Sequence, residues 1–255
     1  YSTAQASGLT VLKNYVTRRA DWFFAYTEAG ARYVTETGFP RGKITTLKNT
    51  IDTDALQSDI RRVRPAELHG MYESLNLKPG KVALFLGGVD DAKGIDFLLA
   101  TAKKIGDQLP GFALLVAGNG SAVHKVKKAE SDGLPVRYVG RVDGLEKAIV
   151  LKGSDLLMIP QWIGLVAVDA LVAGRPVLST NHSSHSPEHE YLIPNRTVIY
   201  ARHTTDEYAQ SVVDLLRDPR RLMQMQGFSR ADSAHYGIDT MVSNFENGIL
   251  RCLGA

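Results

Sequence analysis

Two short stretches carry the residue types that handle phosphate. Gly87-Gly88-Val89-Asp90-Asp91-Ala92-Lys93-Gly94 ends an apolar run and leads into a helical pattern. Glycines let a ligand approach the backbone, a helix start offers free N–H groups and a positive dipole end, and Lys93 adds a point charge. Taken alone, the stretch also reads as a plain strand-to-helix turn with a solvated lysine. It is neither a Walker loop nor a full dinucleotide fingerprint. The second stretch is Gln161-Trp162-Ile163-Gly164-Leu165-Val166-Ala167-Val168-Asp169. Here Ile163-Gly164-Leu165-Val166 begins a helix without a charged side chain, so its N–H groups need a partner. A diphosphate would satisfy them, and Gly164 keeps bulk out of the way. Asp169, further along that helix, could accept from two adjacent hydroxyls, as the acidic residue of a dinucleotide fold does with ribose. Its plainer reading is a surface position on a buried helix.

A third stretch, His182-Ser183-Ser184-His185-Ser186-Pro187-Glu188-His189-Glu190-Tyr191, is dense in polar groups. Its histidines and glutamates invite a metal, but they lack a metal-ligand spacing and contain no cysteine. A ligand-facing loop that caps the next helix through Ser186 and Glu188 is the better reading. His69, His124, His203 and His235 are scattered and read as surface.

The elements that must hold these stretches alternate. Val82–Leu86, Phe112–Ala117, Val136–Val139, Leu156–Ile159, Pro176–Ser179 and Val198–Tyr200 are apolar runs of the kind buried on both faces of a parallel sheet. Helical spacing is predicted over 95–105, 125–129, 145–151, 206–216, 219–226 and 238–252. Strand, helix, strand with short glycine-containing turns means a doubly wound α/β sheet, which binds ligands outside the carboxyl ends of its strands. Before residue 80 the pattern changes. Trp22–Tyr26 and Ile44–Leu47 read as strands around a helix from Thr27 or Glu28 to about Gly38. Two strands make no stable sheet alone, so 1–52 is expected to be the remnant of another α/β domain. Residues 53–78 read as a polar, arginine-rich connector with one helix. Residues 79–235 form the ligand-binding domain, and 236–255 form a terminal helix crossing back to the first domain.

The bulk numbers limit the options. The 255 residues are 44% apolar and 22% charged, with a net charge of +3. That bias is too weak to argue for nucleic acid. It suits an anionic small molecule or loose contact with an acidic membrane face. No apolar run approaches the roughly 20 residues of a membrane helix. The one cysteine, Cys252, fits a reducing compartment, hence the cytoplasm. The chain lacks an initiating Met and is treated as part of a longer protein.

In this order the pieces resemble the retaining GT-B glycosyltransferases of family 4, the glycosyltransferase group 1 set. The family's Gly-Arg-Leu-x-x-x-Lys-Gly stands here as Gly87 to Gly94. Its Ala-Gly-Asp/Asn-Gly is Ala117-Gly118-Asn119-Gly120, and its Val/Phe-x-Gly-x-Val turn is Val139-Gly140-Arg141-Val142 as it stands in this chain. Its Pro, then Glu-Gly-Phe-Gly-Leu-Val-x-x-Glu-Ala-x-Ala-x-Gly-x-Pro-Val, matches Pro160 through Val177. Ala25-Tyr26-Thr27-Glu28 and Lys43 to Asp52 resemble the end of the family's N-terminal domain.

The resemblance implies a nucleotide-sugar donor site with no cofactor and no metal. Lys93 should contact the donor diphosphate, and Gly164, Leu165 and Val166 should offer N–H groups to it. Asp169 takes the place of a glutamate that grips the ribose. Gly140, Arg141 and Val142 should lie along the base, with Gly87, Gly88, Asn119 and Gly120 bordering the phosphates. Two positions depart from the family. Its arginine is Gly88 here, which removes a charge-assisted contact, and its first glutamate is Gln161, which keeps shape without charge. The run Ser186 to Leu192 resembles a variant among exopolysaccharide and O-antigen enzymes, in which Glu188 would take a polar role near the sugar. Lys93, Gln161 and Glu188 are therefore the expected catalytic set.

The implied reaction is hexosyl transfer from a UDP- or GDP-linked sugar to a glycan or lipid-linked acceptor. The acceptor site belongs to the N-terminal domain, so these residues alone should bind donor and transfer little. Arg61, Arg62 and Arg64 are candidates for peripheral membrane contact, although a solvated helix face is the plainer reading. The competing classes are a nucleotide-binding pseudoenzyme and another GT-B enzyme such as an epimerase or a polymerase.

Overall fold

The computed structural model describes residues 15–181 and 185–254. Residues 1–14 and part of the polar third stretch, His182, Ser183 and Ser184, lie outside the described residues. The first unit is β1 (Phe23–Ala25), α1 (Glu28–Glu36) and β2 (Ile44–Thr46), with the two strands parallel. Thr27 starts α1 by accepting from the Gly30 N–H. Ala31 and Val34 face Ala25, Phe39 and Ile44 in a small core.

The connector holds two helices rather than one, α2 (Thr53–Arg62) and α3 (Pro65–Ser74), split where Pro65 cannot continue a helix. Leu56, Met71 and Leu77 enter the larger core, so this segment is packed structure rather than a free tether. Arg62 and Arg64 pair with Asp59 and Glu67, which fits the solvated-face reading. Among the described residues, no helix is long and apolar enough to cross a membrane.

The apolar runs become β3 (Val82–Leu86), β4 (Ala113–Ala117), β5 (Val136–Gly140), β6 (Leu156–Met158), β7 (Val177–Thr180) and β8 (Val198–Ala201). All neighbours pair in parallel, in the order β5-β4-β3-β6-β7-β8. The chain leaves β3 towards β4 and β5, then returns to β6 on the other side of β3. The winding therefore reverses between β3 and β6. The covering helices are α4 (Ile95–Gln108), α5 (Val123–Ser131), α6 (Gly144–Gly153), α7 (Val166–Ala173), α8 (Thr205–Arg217) and α9 (Pro219–Ser233). α9 outruns its expected end at Gln226. Gly227 sits in open space, and the buried Met225, Ser229 and Asp232 anchor the helix on either side of it. α10 (Ile238–Leu253) packs on β2. There Phe24 and Phe245 lie 4.7 Å apart, and Asn244 donates to the Leu47 carbonyl.

The end of the third stretch is a 3₁₀ turn, Pro187–Tyr191, and it joins the two units. Ser186 makes no side-chain cap, contrary to expectation. Glu188 is 5% exposed and accepts from Asn49 Nδ2 at 2.8 Å. Its carboxylate is thus committed to the first unit, which differs from the sugar-side role expected of it. Glu190 accepts from the Glu28 and Ala29 N–H groups, each at 2.8 Å, at the start of α1. The Tyr191 hydroxyl reaches the carbonyls of Tyr26 and Asn49. Burial, reinforced by Glu188, pushes that hydroxyl's pKa up. Glu190→Ala is expected to cost about 1 kcal/mol in urea melts, the usual worth of an N-terminal helix cap, with Glu190→Gln recovering part.

Candidate functional site

Two cavities open at the carboxyl ends of the strands and share Leu86 and Gly87. The first, about 150 Å³, is lined by Gly87, Lys93, Trp162, Gly164, Leu165 and Val166 over an apolar floor of Phe85 and Ile159. It lies over the ends of β3 and β6, where the winding reverses and where doubly wound sheets bind ligands. The second, about 310 Å³, is lined by Gly87, Gly88, Gly118, Asn119, Arg141 and Val142, over β3, β4 and β5.

The first cavity is built for an anion. Lys93 ends a short 3₁₀ turn, Asp91–Lys93, and its Nζ donates to the Trp162 carbonyl at 3.2 Å. Burial holds its pKa down while Asp90 pulls it up, so a half-desolvated ammonium awaits a counter-charge. The turn's other charges are already answered. Asp90 accepts from the Ser121 N–H and hydroxyl, each at 2.9 Å, and those bonds hold its carboxyl below the usual range. Asp91 and Asp96 both pair with Lys125. Across the cavity, α7 starts at Val166 with no side-chain cap on Leu165. Its first inward bonds run from Ala167 to Gly164 and from Val168 to Leu165. Among the described residues, the N–H groups of Gly164, Leu165 and Val166 donate to no protein acceptor.

Long-range contacts hold the turn before α7. The Ile163 N–H donates to His185 Nδ1 at 3.2 Å, and His185 Nε2 lies 3.2 Å from the Thr180 carbonyl. Those contacts assign the proton to Nε2. The Ser186 N–H donates to the Ile163 carbonyl. Gln161 packs its amide against Gly94, where φ is +74° and a β-carbon would press on Nε2. The second cavity has a tight floor, because a β-carbon at Gly118 would collide with the Gly87 carbonyl oxygen, and one at Gly120 with that of Val89.

The structure thus gathers Lys93, Gly164, Leu165 and Val166 in one cavity and Gly88, Asn119, Arg141 and Val142 in the other, with Gly87 between them. Gly120, Gly140, Gln161, Asp169 and Glu188 line neither. Gly120 works as a packing position between two turns. Asp169 is 7% exposed, and Lys147 Nζ sits 2.5 Å from its Oδ1 as an ion pair. Burial pushes that carboxyl up, and Lys147 opposes the shift. Lys147 is not singled out by the sequence, and Trp162, Asp90, Gly118 and His185 stand there only as members of longer stretches, without a role of their own. Trp162 lies inside the second stretch, but no residue pattern announces its φ of +57°. Among the described residues, no three His, Cys, Asp or Glu side chains cluster as metal ligands.

The family profile described as "Glycosyl transferases group 1" matches residues 80–218, the span that builds both cavities. The chain belongs to this family. As a group 1 glycosyltransferase sequence, it is 27% identical over 194 residues to the D-inositol 3-phosphate glycosyltransferase of Rhodococcus erythropolis, covering 69% of this chain and 42% of that protein. It is 31% identical over 140 residues to the phosphatidyl-myo-inositol mannosyltransferase of Mycobacterium tuberculosis, covering 53% and 34%. It therefore spans less than half the length of these curated relatives. The crystal structure of HepE from Anabaena in complex with UDP superposes with a TM-score of 0.78 at 15% identity, over 97% of this chain and 68% of that one. The same protein bound to UDP-glucose gives 0.73 at 14%, over 96% and 67%. At such identity the likeness concerns the fold, which is that of GT-B glycosyltransferases with Rossmann-like parallel sheets.

Proposed function

We propose that the full-length protein is a retaining glycosyltransferase of family 4. It would move a hexose from a UDP- or GDP-linked donor to a glycan or lipid-linked hydroxyl, in exopolysaccharide or O-antigen synthesis on the cytoplasmic side of the membrane. One observation carries this reading. Among the described residues, three N–H groups without a protein acceptor and a half-buried lysine line a cavity at the sheet's reversal point, which shares Leu86 and Gly87 with a second cavity of about 310 Å³. Stabilising the departing diphosphate is electrostatic work, for which preoriented donors in a water-poor site are effective. Gln161, against Gly94, would keep its amide near the transferred sugar without adding charge. The absence of arginine at Gly88 leaves Lys93 and the α7 start to carry the leaving group. Asp169, paired with Lys147, would be the carboxylate that grips the ribose hydroxyls.

The test is isothermal titration with UDP, GDP and ADP on the wild type, Lys93→Ala and Asp169→Ala. Micromolar binding of one nucleotide, weakened by both changes, supports the reading. Titration and turnover of the full-length enzyme should be unchanged in EDTA, and activity recovered only with a divalent metal would sink the metal-free mechanism. The departures at Gly88 and Gln161 favour one second reading, a pseudoenzyme, which would bind nucleotide yet give no turnover at full length.

A further inference from the structure

We infer that the indole of Trp162 is the wall against which the transferred hexose lies, and that it distinguishes a nucleotide sugar from the bare nucleotide. The inference rests on the donor-binding reading proposed for the same site.

Trp162 stands at φ +57°, a conformation that strains a bulky L-residue. The backbone needs that angle. It turns the Trp162 carbonyl onto Lys93 Nζ, and the next N–H goes to His185. Glycine would supply the same turn without strain. The side chain is not there for the fold. It is 40% exposed and belongs to neither hydrophobic core. An unstrained, smaller residue was available, yet a large aromatic ring stands open at the edge of the anion cavity.

Its place in the row gives it an occupant. The second cavity lies over β3 to β5, Gly87 marks the middle, and the first cavity lies over β3 and β6. A base–ribose–diphosphate–sugar chain laid along this edge, with its base near Arg141 and Val142, brings its phosphates to Lys93 and the α7 start. The sugar beyond the second phosphate then meets Trp162, whose ring centre is 6.0 Å from Lys93 Nζ. A pyranose offers a face of C–H groups that suits the electron-rich face of an indole and leaves the hydroxyls free for polar partners. The nearby ammonium helps to hold the ring in place.

Glycine at φ +57° keeps the turn, so Trp162→Gly removes the ring alone. An unchanged or higher melting temperature verifies this. Each variant is titrated with UDP, UDP-glucose, GDP and GDP-mannose. The expected result is that Trp162→Gly binds the bare nucleotide within threefold of wild type and its hexose conjugate about tenfold more weakly, while Trp162→Phe recovers most of the loss. Equal loss for nucleotide and conjugate would overturn the inference by making the ring part of the phosphate site. Unchanged affinity for both would overturn it by making the ring idle. In either case the donor-binding reading survives, because nucleotide still binds the wild type. A wild type that binds none of the four removes that reading, and the inference with it.

Discussion

Lys93→Ala is expected to weaken nucleoside diphosphate binding about ten- to hundredfold. That is the worth of one or two charge-assisted hydrogen bonds, roughly 1.5–3 kcal/mol. Turnover of the full-length enzyme should fall by roughly 10²–10³, as when one preoriented donor to a developing anion is lost. The effect is large because no other group can take over. Lys93 is the one cation lining the first cavity among the described residues, and Lys125 is held by two aspartates. The position of the family arginine is Gly88. Burial lowers the Lys93 pKa, so affinity should decline as pH rises towards that lowered value, whereas Lys93→Arg should stay flat. Titration across pH reads both. An unchanged affinity in Lys93→Ala would mean that the α7 N–H groups hold the phosphates alone and that Lys93 only props the Trp162 carbonyl.

Gly118→Ala is expected to be the most damaging methyl group added to any described glycine. Gly118 sits at φ +145°, a region closed to side chains, and its β-carbon would meet the Gly87 carbonyl oxygen, a backbone atom that cannot rotate away. Strain and overpacking of about 1–3 kcal/mol each add to a loss on the order of 4 kcal/mol, a large share of a typical domain's stability. Gly133→Ala is the control. It shares the left-handed backbone, at φ +84°, but has open space around it, so it should lose only about 1 kcal/mol. Urea melts of the two separate collision from strain. The damage to Gly118→Ala should also reach function, because Gly87 is shared by both cavities.

The six strands of the larger sheet could be read from runs such as Val82–Leu86 because parallel strands leave a continuous apolar signal. The Gly87–Gly94 and Gly164–Val166 turns could be read because free N–H groups and a lysine leave a local one. The strand order could not, since nothing in Leu156–Met158 states that it lies beside β3 rather than beyond β5. Long-range partners escaped for the same reason. Asp169 read as open or ligand-held because Lys147 is 22 residues away, and Glu188 read as sugar-facing because Asn49 is 139 residues away. Gly118 looked like part of a ligand loop, whereas its missing side chain makes room for a neighbouring turn. Where contact was local, the residues spoke, and where it depended on folding, they did not.

The 3₁₀ turn at Pro187–Tyr191 behaves mechanically as a lever. One arm is pinned to the first unit by Glu188, Glu190 and Tyr191. The other reaches Ile163 through His185 and Ser186. The first unit cannot swing about its connector without breaking those pins or dragging the turn before α7 with it. Stiffness at one end is felt at the other, so the seating of the first unit and the shape of that turn are mechanically one piece.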